Sequence, residues 1–311
     1  MKVLVTCPPM LGMIDSFRHI FEEKGIEVSA PNVVQTLSVE ELKEIVPQHD
    51  GWIIGDDPAT REVFEAGSAG KLKAAVKWGI GVDNVDFDAC KDLNIPIINT
   101  PDMFGREVAD IAVGYVIALA RETFEIDRAV RDGEWIKPRG ISLSGKKVAL
   151  VGFGDIGQST AKRLLALDMD IVAYDPFADD NPDLPEVARE VWPSRIEEAD
   201  FIVVTCSLTK SSYHMVDADV FRQAKDGVRV VNVGRGPIVD ETSLEEALRS
   251  GKVYSAALDV FEIEPLPMGV YLRTHPHCIF GSHNASNTAD AVERTSHIAI
   301  DKLFNFLNIK Y

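Results

Sequence analysis

The sequence predicts an α/β protein built from two doubly wound parallel sheets. Three observations carry that expectation. Short apolar, β-branched runs alternate with helical patterns along the chain, one of those runs leads straight into Gly-x-Gly-x-x-Gly, and 311 residues suffice for about two domains that each bury a core.

In order, Val3–Thr6 reads as a strand that breaks at Pro8-Pro9, and Ile14–Lys24 is helical in pattern with Gly25 closing it. Val28 begins a short strand, and Val39–Val46 is a short helix after Ser38. Gly51–Gly55, Ala74–Trp78 and Ile97–Asn99 are buried-strand runs, the last closed by Pro101. A long apolar-rich helix, about Val108 to Arg121, carries the chain onward, and a new glycine-rich fold begins near Gly145. Phe201–Thr205, Val228–Val233, Ser255–Leu258 and Cys278–Phe280 are its later strands. The final helix, Ala289–Leu307, has no obvious place in a completed nucleotide domain. It is expected to return to the N-terminal domain, giving residues 1–99 plus 285–311 around an inserted 100–284.

The segment Val148–Gly157 is the most informative. An apolar strand ends in Gly152-Phe153-Gly154-Asp155-Ile156-Gly157, a helical run follows to Met169, and a second strand, Ile171–Tyr174, ends on Asp175. Gly152 permits the tight turn, Gly154 lets backbone approach a pyrophosphate, and Gly157 lets the helix pack closely on its strand. The helix N-terminus offers amide donors and a positive dipole end to phosphates. Asp175 stands where an acid accepts from the adenosine ribose. Its carboxylate would repel a 2′-phosphate, and Pro176–Asp180 supply no arginine to neutralise one, so NAD is expected over NADP. Asp155, Ile156, Cys206 and Val233 complete the expected cofactor contacts.

Composition narrows the partners. With 46% apolar and 26% charged residues the chain is ordinary for a soluble globular protein, and a formal charge of −17 argues against nucleic-acid or anionic-membrane binding. Four scattered cysteines with no CxxC pair, and no metal-like His/Cys spacing, suggest reduced thiols and no metal. No apolar run reaches membrane-spanning length, and the Met1–Thr6 start is too short for a signal core, so a cytoplasmic protein is expected.

In an open parallel sheet, ligands bind beyond the carboxyl ends of the strands. There the later strands place Arg235, Asp259 with Glu262 and Glu264, and His283. This set suits hydride transfer at C2 of a 2-hydroxy acid. Arg235 offers a planar, always-charged fork to a carboxylate. His283 titrates near working pH and can remove or return the hydroxyl proton. Glu264 is the candidate partner on its other ring nitrogen, fixing the tautomer and favouring the imidazolium. The remaining histidines, His19, His49, His214, His275, His277 and His297, read as helix, loop or turn residues without such company.

With these residues in place, the chain resembles the D-isomer-specific 2-hydroxyacid dehydrogenases. The resemblance rests on Gly79–Asp86, Asn99-Thr100-Pro101, Gly152–Gly157, Val231–Gly236, Leu258–Pro265 and His283. It implies a Rossmann NAD domain inserted into a split, flavodoxin-like substrate domain, a cleft between them, and a homodimer built largely from NAD domains. It also implies that Arg235 binds the substrate carboxylate and carbonyl, that Glu264 pairs with the acid/base His283, and that Asp259 holds the nicotinamide carboxamide. Backbone amides of Ile80 and Gly81 would grip the carboxylate. The motifs look most like the phosphoglycerate dehydrogenase and hydroxypyruvate reductase branch. No regulatory extension follows Tyr311, so feedback by serine is not expected. Asn284–Thr288 lacks the glycine common in the family after the histidine. Asp56 and Asp57 stand where members with phosphorylated substrates often place a basic residue, while Lys77 is either a contact for a distal negative group or a solvated strand-end charge. An NAD-responsive binding protein of the corepressor kind shares this fold and its residues. A formate-type activity is disfavoured by the carboxylate at Glu264.

Overall fold

The computed structural model describes residues 1–309. Within them the chain divides into two compact units, one of Met1–Met103 joined by the segment from Asn287 onward, the other Phe104–Ser286. Boundaries expected at 99 and 284 thus lie at 103 and 286. Residues 310 and 311, the end of the expected substrate domain, lie outside the described residues.

The first unit holds β1 (Lys2–Val5), β2 (Glu27–Ser29), β3 (Gly51–Ile54), β4 (Ala74–Lys77) and β5 (Ile97–Asn99) in the order β2-β1-β3-β4-β5, every pairing parallel. Helices α1 (Pro8–Leu11), α2 (Arg18–Glu22), α3 (Val39–Ile45), α4 (Arg61–Ala69) and α5 (Phe87–Asp92) connect them. The single helix expected over Ile14–Lys24 is interrupted: a 3-10 turn at Ile14–Ser16 precedes α2, with Phe17 between them buried against the His297 ring. Ser38 caps α3 in a reciprocal capping box with Glu41.

The second unit begins with α6 (Gly105–Arg121) and α7 (Thr123–Arg131). Its strands are β6 (Lys147–Val151), β7 (Asp170–Tyr174), β8 (Ala188–Arg189), β9 (Phe201–Val204), β10 (Val228–Asn232), β11 (Val253–Leu258) and β12 (Cys278–Phe280). They form an all-parallel sheet, β12-β11-β10-β9-β6-β7-β8, crossed by α8 (Asp155–Leu165), α9 (Ala218–Gln223) and α10 (Glu241–Ser250). Strand order reverses between β6 and β9, which opens a crevice at their carboxyl ends. The inner strands of both sheets are near-continuous runs of buried, mostly apolar residues, as strands covered on both faces require.

The last helix, α11 (Ala289–Phe306), belongs to the first unit. Ala291, Val292, Thr295, Ser296, Ala299, Ile300, Leu303 and Phe304 are its buried residues, one stripe at helical spacing. Phe304 meets Phe21 edge-on, Trp78 Nε1 donates to Ser296 Oγ at 3.1 Å, and Leu303 lies where a side chain on Gly51 would intrude.

At the amino edge of the second sheet, Glu198 takes Arg195 in a two-pronged pair (3.1 and 3.1 Å) and Lys147 Nζ at 2.5 Å. The Arg195 hydrogen bonds, then Lys147, hold its carboxyl down to about 2 against an ordinary 4.5. The folded chain therefore binds this proton less readily than the unfolded one. The contribution is complete above about pH 4.5 and is lost as pH falls through about 2. Glu198→Gln is expected to lower stability at neutral pH and to flatten its fall between about pH 4.5 and 2, both read from unfolding curves followed by circular dichroism.

Candidate active site

The glycine turn after β6 is built by close backbone approach. Gly152 has φ +100°, and a Cβ there would lie 2.6 Å from the Cys206 amide nitrogen beyond β9. Thr205 locks the pair of loops, its hydroxyl donating to the Gly152 carbonyl at 3.0 Å. A Cβ on Gly157 would overlap the Gly152 carbonyl oxygen, so α8 presses directly on the turn. Gly154 differs: nothing lies within 4 Å of the place its Cβ would take. An open face at the N-terminus of an eleven-residue helix fits a pyrophosphate, and these residues fit NAD on that observation. Asp155 offers that face only backbone, because its carboxylate lies against Gly105 at the start of α6, where the helix dipole favours it. Ile156 is half-buried beside it.

Cys206 occupies the switch point. A Cβ on Gly234 would lie 2.7 Å from its carbonyl oxygen, and the neighbouring Val233 amide donates to Val204 at 3.1 Å. Burial pushes the Cys206 thiol up to about 12, so it serves by shape and not as a nucleophile.

Asp175, at the end of β7, accepts from the Phe153 amide (2.9 Å) and from the amides of Phe177 (2.9 Å) and Ala178 (3.1 Å). The carboxylate thus ties the glycine turn to the loop after β7. No arginine stands beside it in the chain, but the fold brings one. Arg189 in β8 donates to the carbonyls of Asp175 (2.7 Å) and Ala178 (3.1 Å) and stacks over the Phe153 ring at 4.7 Å. Its guanidinium is committed to clamping the loop, and the Asp175 carboxylate still disfavours a 2′-phosphate.

Three loops of the second unit carry the remaining side chains. Asn232, 1% exposed at the end of β10, accepts from the Gly234 amide at 3.0 Å and donates to the Arg235 carbonyl at 2.9 Å. It fixes the turn from which Arg235 projects, a role the sequence alone does not disclose. A Cβ on Gly236 would overlap the Phe261 carbonyl carbon, so the Arg235 loop touches the loop after β11 backbone to backbone.

That second loop presents Glu264, one oxygen accepting from the Phe261 amide (2.9 Å) and the other facing His283 Nδ1 at 2.8 Å. With Nδ1–H donated to Glu264, Nε2 is the ring atom left to take or give a proton. His283 sits at φ 54°, in the left-handed region, where its amide donates to the Asp259 carbonyl at 2.7 Å. The Asp259 carboxylate accepts from the amides of Asn284 (3.2 Å) and Ala285 (2.9 Å), closing the turn beyond the histidine. Burial pushes the Asp259 carboxyl up, and burial together with Asp259 pushes the neighbouring Tyr115 phenol up to about 12. Glu262, grouped with Glu264 in the sequence, turns elsewhere: it faces His214 Nε2 at 2.9 Å and accepts from the Glu241 amide. His214 therefore does have a carboxylate partner.

In the first unit, Ile80 and Gly81 follow β4 in a turn held by Gly79 (φ +115°), whose amide donates to Thr100 Oγ1 at 2.8 Å. Asn99 Nδ2 donates to the Ile80 carbonyl at 3.1 Å. Lys77 needs correcting on both counts. It is 2% exposed, not solvated, and its ammonium hydrogens go to the Gly55 carbonyl (2.7 Å), Asp56 (3.0 Å) and the Trp78 carbonyl (3.1 Å). Three donors on three acceptors leave no hydrogen for a ligand. Asp57 is likewise internal: fully buried, it accepts from Thr6 Oγ1, the Leu37 amide (2.9 Å) and the Gly55 amide (3.2 Å), and burial pushes its carboxyl up.

Comparison with known proteins identifies the family. Residues 113–285 match the model of the NAD-binding domain of the D-isomer specific 2-hydroxyacid dehydrogenases. The hydroxypyruvate reductase of Thermotoga maritima is 37% identical over 93% of this chain and 94% of its own length. The D-3-phosphoglycerate dehydrogenase of Archaeoglobus fulgidus is 34% identical over 98% of this chain, which spans only 57% of that protein. Among solved structures, the TT0316 protein of Thermus thermophilus superposes with a TM-score of 0.87 at 30% identity, covering 99% of this chain and 97% of its own. Matched along almost its full length in sequence and in fold, the chain belongs to the D-isomer specific 2-hydroxyacid dehydrogenases and works with NAD.

Proposed function

We propose that this dehydrogenase interconverts a short, unphosphorylated D-2-hydroxy acid and its 2-oxo acid, of the hydroxypyruvate or glyoxylate type. The observation that carries this reading is Lys77: the basic side chain best placed in sequence to meet a distal phosphate is internally spent. The 37% identity to the Thermotoga maritima hydroxypyruvate reductase supports it.

Arg235 binds the substrate carboxylate and carbonyl, and the Ile80 and Gly81 amides add donors for the carboxylate. His283 Nε2 takes the C2 hydroxyl proton in oxidation and returns it in reduction, while Glu264 holds the ring and stabilises its charged form. When bound, the nicotinamide accepts or returns the hydride. Gly152–Gly157 and Asp175 hold the pyrophosphate and adenosine ribose, with Cys206 and Val233 lining the crevice and Asp259 meeting the carboxamide. The second unit serves as the NAD domain and the first as the substrate domain. We place the protein in the cytoplasm as a homodimer, the dimer supported by the exposed apolar side chains of Ile111, Ile117, Phe124, Val130 and Trp135 on and just after α6 and α7. No described helix is long and apolar enough to cross a membrane.

The test is NADH consumption on hydroxypyruvate and phosphohydroxypyruvate at matched concentrations. Hydroxypyruvate is expected to be preferred by at least about tenfold in kcat/KM, about 1.4 kcal/mol of discrimination. A preference for the phosphorylated acid would overturn the assignment.

A further inference from the structure

Where α6 gives way to α7, Glu122 takes a left-handed backbone (φ 57°) and turns its carboxylate inward, 7% exposed. Tyr254 donates its hydroxyl to Glu122 Oε1 at 2.5 Å, and Glu122 Oε2 lies 3.4 Å from His277 Nδ1. Glu125 places its Oε2 3.0 Å from the same nitrogen. Tyr254 stacks on the His277 ring at 4.8 Å and 24°, which fixes its plane. The three ligand atoms lie within 4.8 Å of one another. Although close, Glu125 Oε2 and His277 Nδ1 are buried atoms without an aligned hydrogen-bond partner.

A separate observation points the same way. Ser255, 2% exposed, lines the same small cavity, and its Oγ has no hydrogen-bond partner. A buried, unanswered hydroxyl is unfavourable, and a bound species would relieve it. Two carboxylates and one imidazole thus converge on a single corner. Arg128, which also lines the cavity, is turned to the Pro276 carbonyl at 2.6 Å.

We propose that Glu122, Glu125 and His277 form a divalent-cation site of the zinc type, with Ser255 Oγ facing its fourth position. Ligand atoms around a tetrahedral zinc ion with bonds of about 2.0–2.1 Å stand about 3.3 Å apart, and the observed 3.0 and 3.4 Å bracket that edge. One imidazole nitrogen with two carboxylate oxygens selects zinc over magnesium or calcium, which prefer all-oxygen shells. The ion would pin the α6–α7 junction to the start of β12. His277 precedes that strand and His283 follows it, so the site is structural and separate from the acid/base chemistry.

The experiment titrates Zn²⁺ into chelator-stripped protein by calorimetry and records thermal melts in parallel, with Mg²⁺ as the comparison ion. One Zn²⁺ per chain is expected, with Kd on the order of 1 µM or tighter, and a melting rise of about 5–10 °C at a hundredfold excess over Kd. Mg²⁺ should do neither. Glu125→Gln and His277→Gln should each weaken binding about a hundredfold or more, and the milder Ser255→Ala about tenfold. His214→Gln, at the other histidine–carboxylate cluster, should leave binding intact. Absence of saturable binding, binding that survives the Glu125, His277 and Ser255 variants, or binding lost with His214→Gln would each overturn the site.

Discussion

His283→Ala is expected to lower kcat/KM for hydroxypyruvate reduction by about 10²–10⁴-fold or more while NADH still binds with near-native affinity. The first part follows from removing the group proposed to deliver the C2 proton, the magnitude being that of general acid catalysis. The second follows from geometry: the glycine turn, Asp175 and Thr205 are organised by contacts among β6, β7 and β9, none of which passes through His283. Steady-state rates and a fluorescence titration of NADH separate the two effects. Near-native turnover in this variant would refute the assignment of His283.

Gly236→Ala is expected to act almost as strongly, through position alone. Its new methyl would overlap the Phe261 carbonyl carbon, and backbone cannot swing aside as a side-chain tip can. Either the Arg235 loop or the loop bearing Glu264 must move. A displacement near 1 Å between reacting groups costs about 10²-fold in rate. Overpacking should also remove about 1–3 kcal/mol of stability. The expected signature is thus a large fall in kcat/KM with a modest fall in melting temperature. Gly114→Ala in α6, where nothing lies within 4 Å of the new atom, should leave both nearly unchanged. Equal effects from the two substitutions would show that the close contact is not what matters.

Much of this was legible in the residues because parallel sheets write themselves as apolar runs and place their chemistry at strand ends. The Gly152–Gly157 turn, Asp175, Arg235, Glu264 and His283 all lie in the segments that leave a strand at its carboxyl end, so position along the chain locates them. What escaped depended on partners distant in sequence. Lys77 reads as a strand-end charge until Gly55 and Asp56 come alongside it from β3. Arg189 sits on a two-residue strand with no apolar run to announce it. α7 buries none of its residues and so lacks the stripe by which α6 and α11 declare themselves. Asn232 hides within an apolar strand, where only its satisfied hydrogen bonds reveal a purpose. The cluster of Glu122, Glu125 and His277 draws on distant parts of the chain and carries no motif spacing.

The grip of Asn232 on the Gly234–Arg235 turn has a consequence for how affinity is divided. Fixing one residue's backbone costs about 1–2 kcal/mol of conformational entropy. Here that ordering is completed when the sheet folds, before any ligand arrives. In the role proposed for Arg235, the carboxylate end of the substrate then meets a guanidinium on an already rigid stalk. More of the interaction remains for orientation at C2, and less is consumed in organising the protein at each encounter.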